Sequence, residues 1–254
     1  MIAILSPAKT LDFETECQFG DFTIPSLIED SKELIDQLKN YSVDELSNLM
    51  SLSSSLSDLN FKRYQNWTSD FNLDNARQAI LCFKGGVYQG LDVETFSSDD
   101  LLYSQKYLRI LSGLHGVLKP LDLIQPYRLE MGTKLNNKRG KNLYEFWDEK
   151  ITDSLNNCLT KNNAAYLLNL SSNEYFLSIQ TKRINKRIIE VKFLDKKNDI
   201  YKIISFFAKK ARGSMASFVV KNKVKTIDQL KNFSGLGYSF DESQSSPQSL
   251  VFIR

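Results

Sequence analysis

Five apolar residues, Met1 to Leu5, open the chain and stop at Ser6. A run this short and unbroken reads as a strand that is apolar on both faces. Ser6-Pro7-Ala8-Lys9-Thr10 then forms a turn with a basic residue at its tip. In "PSLIEDSKELIDQLKNY" the apolar Leu27, Leu34, Ile35 and Leu38 share one helical face. Ser42 with Glu45 has the spacing of a capping box that opens a second helix. "SLSSSLSDLN" carries leucines at regular intervals and reads as helix or helix boundary, not linker.

Further on, "AILCFKGGVYQGL" reads as a strand over Ala79 to Phe83 that enters a Gly-Gly turn with Lys84 at its end. "LYEFWDEKITDSLNNCL" has the pattern of an amphipathic helix, and "AAYLLNLSS" that of a buried strand. Ser171 with Glu174 gives a second capping-box pattern, which opens a helix in "NEYFLSIQTK". "KRIIEVKFLD" and "IYKIISFF" alternate as two neighbouring strands joined by the polar turn Asp195–Asp199. In "FFAKKARGSMASFVVKNK", Phe207, Ala211, Met215 and Phe218 form one helical stripe, with Lys209, Lys210 and Arg212 off it. Thr226 with Gln229 caps a short helix, and "SLVFIR" closes the chain as a strand. Strands and helices mix throughout, with no internal repeat. The expected fold is α/β in the mixed α+β sense: one compact body over 1–254, with a mixed central sheet and surrounding helices.

The stretch "YLRILSGLHGVLKPLDLIQPYRLEMGTKL", Tyr107 to Leu135, fits no single pattern. Its first part approaches a helix-hairpin-helix, whose Gly turn offers backbone N–H groups to a phosphate. Leu108 and Leu111 supply the apolar pair and Gly113-Leu114 follow, but the second glycine, Gly116, falls one residue late. A Gly turn joining a helix to an extended segment is the simpler alternative. In the second part, Arg128 and Glu130 alternate, which puts both on one side of an extended chain. That pattern suits a solvent-exposed strand or an inward-facing pair in a cleft.

Composition changes this picture at three points. With 42% apolar and 25% charged residues the chain is globular in type, and no apolar run reaches the roughly 18 residues of a membrane helix. The N-terminus lacks a basic lead, so it reads as a strand and not as a signal peptide, and a cytoplasmic location is expected. Cys17, Cys82 and Cys158 are scattered and odd in number, which predicts buried or half-buried thiols and not a disulfide or metal framework. His115 is the only histidine, so no multi-histidine metal centre, and no cofactor, is expected. The net charge of +3 hides an asymmetry. Residues 1–58 carry three Lys against eleven Asp/Glu, whereas residues 182–225 carry fourteen Lys/Arg against three Asp/Glu. Such a basic block is either a solvated face or the footprint of a phosphate-bearing partner.

Seven segments, in register along essentially the whole chain, resemble the YaaA peroxide-stress family. They are "SPAKTLDF", "FKGGVYQGL", the long Tyr107–Leu135 stretch, "LYEFW", "LLNLSSNEYF", "KIISFFAKKARGSMASFVV" and the closing "GYSF…SLVFIR". The family has Gly-Asp-Val-Tyr where this chain has Gly85-Gly86-Val87-Tyr88, and Tyr where it has His115, so an acid at position 86 and a catalytic His115 are not expected. The resemblance implies a bacterial cytosolic protein that limits iron-driven peroxide damage. It also implies a compact α/β body with a basic cleft, a helix-hairpin-helix element and DNA binding.

Two functions therefore stand side by side. As a DNA-binding protein, the chain is expected to contact phosphates through Lys9, Lys84, Arg109, Arg128, Lys134, Lys209, Lys210 and Arg212, with backbone N–H groups from the Gly113–Gly116 turn. As an enzyme acting on a nucleotide or nucleobase, it is expected to hold phosphate with Lys9 and Arg128. Glu130 or Glu174 then serves in acid/base catalysis, Asn169 and Ser172 stand at a strand end, and Tyr88 or Tyr127 stacks on a base. Direct iron sequestration is disfavoured by the single histidine, the scattered cysteines and the lack of a carboxylate cluster. The sequence suggests no membrane or protein partner.

Overall fold

The computed structural model describes residues 1–15 and 19–254, so the expectation for Cys17 lies outside the described residues. Ile2–Leu5 is a fully buried strand at the centre of the sheet. It pairs in parallel with Leu108–Ser112 on one side and with Tyr166–Leu170 on the other. The parallel run continues through Arg187–Lys197 to Ser249–Ile253. Antiparallel strands finish the sheet: Gly116–Leu118 at one edge, Ser239–Ser246 at the other, and Ile200–Lys202 on Arg187–Lys197. The eight strands among the described residues form the mixed α/β body read from the sequence. In Arg187–Lys197 only alternate residues, Ile189, Val191, Phe193 and Asp195, are buried, because one face of that strand meets water. Asn198 and Asp199 both adopt left-handed φ, as a two-residue hairpin turn matched to strand twist requires.

Local chemistry explains most helix boundaries. Helix Ile28–Leu38 buries Leu34, Ile35 and Leu38, and the expected capping boxes of Ser42/Glu45 and Thr226/Gln229 are both formed. The Ser171/Glu174 box is not. Ser171 Oγ donates to Asn169 Oδ1, while Glu174 Oε1 accepts from the Gly132 backbone N–H, so Ser172 heads a helix of only four residues, Asn173–Phe176. Residues 143–161 form two helices, Leu143–Trp147 and Lys150–Lys161, separated at Asp148, whose φ is 39°. The strand expected over Ala79–Phe83 is instead a helical turn, Ala79–Cys82, followed by the two-residue strand Phe83–Lys84 against Thr10–Leu11. The N–H groups of Ala79 and Ile80 donate to the carbonyls of Asp122 and Pro120, which places this apolar run beside a loop and not in a ladder. "IYKIISFF" is strand only over Ile200–Lys202, because helix Ser205–Lys221 begins at Ser205. Among the described residues no helix is long and apolar enough to cross a membrane.

The largest correction concerns Leu108–Pro120. This segment is a β-hairpin and not a helix-hairpin-helix: Leu108–Ser112 is drawn into the sheet by Ile2–Leu5, and Gly116–Leu118 folds back on it. Residues 108–118 are all buried, which removes the turn from contact with a phosphate backbone. Gly116 has φ +65°, and a Cβ there would meet the Trp147 ring at 2.9 Å. A Cβ on Gly113 would stand 2.2 Å from the Leu129 carbonyl oxygen. Both glycines therefore serve packing. Arg109 is likewise buried, its guanidinium donating to the carbonyls of Leu108 and Gln105. His115 is fully buried between the rings of Phe71 and Tyr127, with Nδ1 2.9 Å from Ser31 Oγ.

Helix Ser205–Lys221 crosses the short helix Gly86–Leu91 at backbone contact. A Cβ on Gly213 would lie 1.7 Å from the Val87 carbonyl oxygen, and one on Gly90 would lie 1.9 Å from that of Lys210.

Two outcomes follow from this packing. Gly213→Ala must separate the two helices and is expected to lose about 3 kcal/mol of stability in urea unfolding, the upper range for overpacked sites. Gly20→Ala, with nothing near the added carbon, is expected to be neutral in the same assay. For His115, burial pushes the pKa down to about 3, so the unfolded chain takes up a proton first as pH falls. This contribution is whole above about pH 6.5 and is lost as pH drops towards 3. Between pH 7 and pH 5 it amounts to about 2 kcal/mol. The stability difference between those two pH values is expected to shrink by that much in His115→Phe.

Candidate functional site

In the order in which the chain visits them, the five parallel strands lie 2-1-3-4-5 across the sheet. The chain leaves the first strand, Ile2–Leu5, towards one side and later returns to its other side with Tyr166–Leu170. The carboxyl ends of those two strands border the crevice in which open α/β sheets hold ligands. A cavity of about 480 Å³ lies there, lined by Ser6 and the following turn, Leu170 and Ser172, the Lys84–Tyr88 turn, Tyr127–Glu130, Glu174, Tyr175, Lys209 and Arg212. The two strand ends are tied together: the Ser172 backbone N–H donates to Ser6 Oγ at 2.8 Å, and the two serine hydroxyls lie 3.3 Å apart. Tyr88 clamps the same corner by donating to the Ser6 carbonyl at 3.1 Å.

Five cations and two carboxylates face this cavity. Glu130 is shared, with Oε2 2.6 Å from Lys9 Nζ and Oε1 3.1 Å from an Arg128 terminal nitrogen. The Arg128 backbone is held in turn by the Tyr64 hydroxyl, which donates to its carbonyl. Arg128 Nε is buried and without a hydrogen-bond partner among the described residues. Lys84 lies 3.5 Å from Asp12 and 3.8 Å from Glu94. Glu174 is committed to the Gly132 N–H at 2.9 Å. Lys209 and Arg212 have no carboxylate or hydrogen-bond partner among the described residues. Arg212 is half-buried, and desolvation lowers its pKa. A cation withdrawn from water and left unpaired is an unfavourable arrangement that a bound anion relieves. Burial raises the pKa of Tyr88, Tyr127 and Tyr175, so all three line the cavity as neutral phenols. The Tyr127 hydroxyl is engaged with that of Ser112 at 2.7 Å.

Of the residues singled out from sequence, Lys9, Lys84, Tyr88, Tyr127, Arg128, Glu130, Ser172, Glu174, Lys209 and Arg212 meet at this one cavity. The others stand elsewhere. Asn169 accepts from the Ser171 N–H and hydroxyl, ordering the strand end from behind. Lys210 lines a separate shallow groove with Gln89, Lys221 and Leu236. Lys134 is exposed outside the cavity, while Arg109, Gly113 and Gly116 belong to the core hairpin. Sequence reasoning missed Ser6 and Tyr175. Ser6 was within reach, because the residue after a buried first strand in an α/β sheet stands at its ligand-binding edge. Among the described residues no group of three or more His, Cys, Asp or Glu is placed to hold a metal ion.

This geometry agrees with a match found over nearly the whole chain. The family model described as peroxide stress protein YaaA covers residues 1–244, and so includes every strand and loop that builds the cavity. The chain belongs to the peroxide stress protein YaaA family.

Proposed function

We propose that this protein acts in the cytoplasm during peroxide stress by binding nucleic acid, DNA in the first instance, in the basic cleft. Bound there, it limits the damage done when ferrous iron and peroxide generate hydroxyl radicals. The observation that carries the proposal is the pair Lys209 and Arg212, cations without counterions among the described residues, at the ligand-binding edge of the sheet. Beside them, Lys9 and Arg128 share the single carboxylate of Glu130. A phosphodiester supplies the negative charge that the cleft lacks, and Arg212 presents the fork of donors that suits it. The cytoplasmic assignment rests on the free, buried thiols of Cys82 and Cys158, which fit a reducing compartment.

A second reading, an enzyme acting on a nucleotide or nucleobase, is favoured by the size of the cavity. About 480 Å³ falls within the range of small-molecule sites. In that role Glu130 exchanges a proton with the ligand while Lys9 and Arg128 hold its phosphate, and Glu174 is the alternative acid or base.

Binding of DNA is expected to weaken about 20- to 40-fold between about 50 and 200 mM salt, which corresponds to three neutralised phosphates. Lys209→Ala with Arg212→Ala is expected to flatten the logarithmic salt slope by about two units. Affinity that does not change with salt, or a slope untouched by the double substitution, contradicts the proposal. A turnover screen over nucleosides and damaged DNA, with Glu130→Gln and Glu174→Gln as controls, separates the two readings. Activity abolished by Glu130→Gln establishes the enzyme, whereas tight binding without turnover leaves the binding protein.

A further inference from the structure

One exposed apolar segment adjoins the cleft. It runs from the Ile200–Lys202 strand into the first turn of helix Ser205–Lys221 and leaves Ile200, Ile203, Phe206 and Phe207 facing solvent. Phe206, at 66% exposure, is the most open aromatic residue among the described residues. Phe207 is already engaged, since the Arg254 guanidinium sits 4.5 Å from its ring centre. The ring neighbour of Phe206 is Phe207 itself, 5.6 Å away.

Helix geometry fixes where Phe206 stands. Positions 206, 209, 210 and 213 share one helical face, because they are three, four and seven residues apart. Along that face Gly213 meets Val87, the Lys210 carbonyl meets Gly90, and the Lys209 Cβ lies 3.3 Å from where a Gly86 Cβ would be. The short helix begins at Gly86. Phe206 stands one turn before Lys210 and three residues before Lys209, on the helix that sends Lys209 and Arg212 into the cavity lining, and it is itself outside that lining.

We infer that Phe206 is a stacking platform for an unpaired base whose phosphate is held by Lys209 and Arg212. The cleft thereby prefers single-stranded or unstacked nucleic acid to a regular duplex. This inference rests on the nucleic-acid reading of the cleft and names the form of ligand that the cleft takes. An aromatic face beside a cationic groove is the arrangement that holds single strands, each base stacking on a ring while cations track the backbone. In a paired duplex the base faces are covered by their neighbours, so Phe206 has nothing to stack on.

The test uses two labelled probes of equal charge: an oligothymidylate of about eight residues and an abasic phosphodiester strand of the same length. Affinity is read by fluorescence anisotropy on the full chain. The wild type is expected to bind the base-bearing probe about tenfold more tightly. Phe206→Ala is expected to remove that ratio and leave the abasic affinity unchanged. Phe206→Trp retains the ratio and Phe206→Leu loses it, which separates stacking from simple apolar contact. Lys209→Ala with Arg212→Ala weakens both probes alike. A ratio near one in the wild type, or a tenfold ratio that survives Phe206→Ala, overturns the platform while the cleft reading stands. A ratio that survives while Phe206→Ala changes the sedimentation of the protein makes the patch a contact between copies, and also overturns it. Failure of the wild type to bind either probe at low salt defeats the cleft reading and the platform with it.

Discussion

Helix Ser205–Lys221 lies so close to helix Gly86–Leu91 that neither Gly90 nor Gly213 has room for a Cβ. The cleft depends on that approach. It sets Lys209 beside Gly86 and brings Arg212 to the ends of the two central strands. Any larger side chain at the crossing must push the long helix outwards, and its cations away from Arg128 and Lys9 with it. The same contact joins the mostly acidic N-terminal part of the chain to the basic C-terminal block, because Gly86–Leu91 is anchored to the first strand by Tyr88.

Electrostatics at the site are deliberately unbalanced. Several cations elsewhere have carboxylate partners: Arg139 and Lys150 share Asp30, Arg183 meets Glu149 and Asp153, and Arg254 meets Asp195. In the cleft one carboxylate serves two cations, and two further cations have none among the described residues. Desolvating Arg212 without a partner lowers stability, and the arrangement becomes favourable when an anion arrives. The three neutral phenols lining the cavity do not offset this charge, so the field at the strand ends stays positive.

The stretch from Tyr107 to Leu135 divides between structure and function. Its first half is a buried hairpin whose glycines admit Trp147 and the backbone of Leu129. His115 inside it is neutral packing against Phe71 and Tyr127. Its second half carries Arg128 and Glu130 to the cleft wall. The two are continuous: Tyr127 packs on His115 at one end and lines the cavity with Arg128 at the other, so the buried hairpin stiffens the cleft.

The sequence by itself determined the strands at Met1–Leu5, in "AAYLLNLSS" and in "SLVFIR", and two of the three expected capping boxes. These rest on apolar runs and on side chains within three residues of the backbone they serve. It also put Arg128 and Glu130 on one side of an extended chain, while whether they face solvent or a cleft, and their pairing, came from the structure. Only the tertiary structure decided that Leu108–Ser112 is a strand, since a neighbouring strand over a hundred residues away in sequence supplies its hydrogen bonds. It likewise decided that Glu174 serves Gly132 and not its own helix. The cleft belongs to that second class. Its walls come from residues 6–10, 84–88 and 127–130, from Leu170, Ser172, Glu174 and Tyr175, and from Lys209 and Arg212, and only the order of strands in the sheet makes those distant segments neighbours.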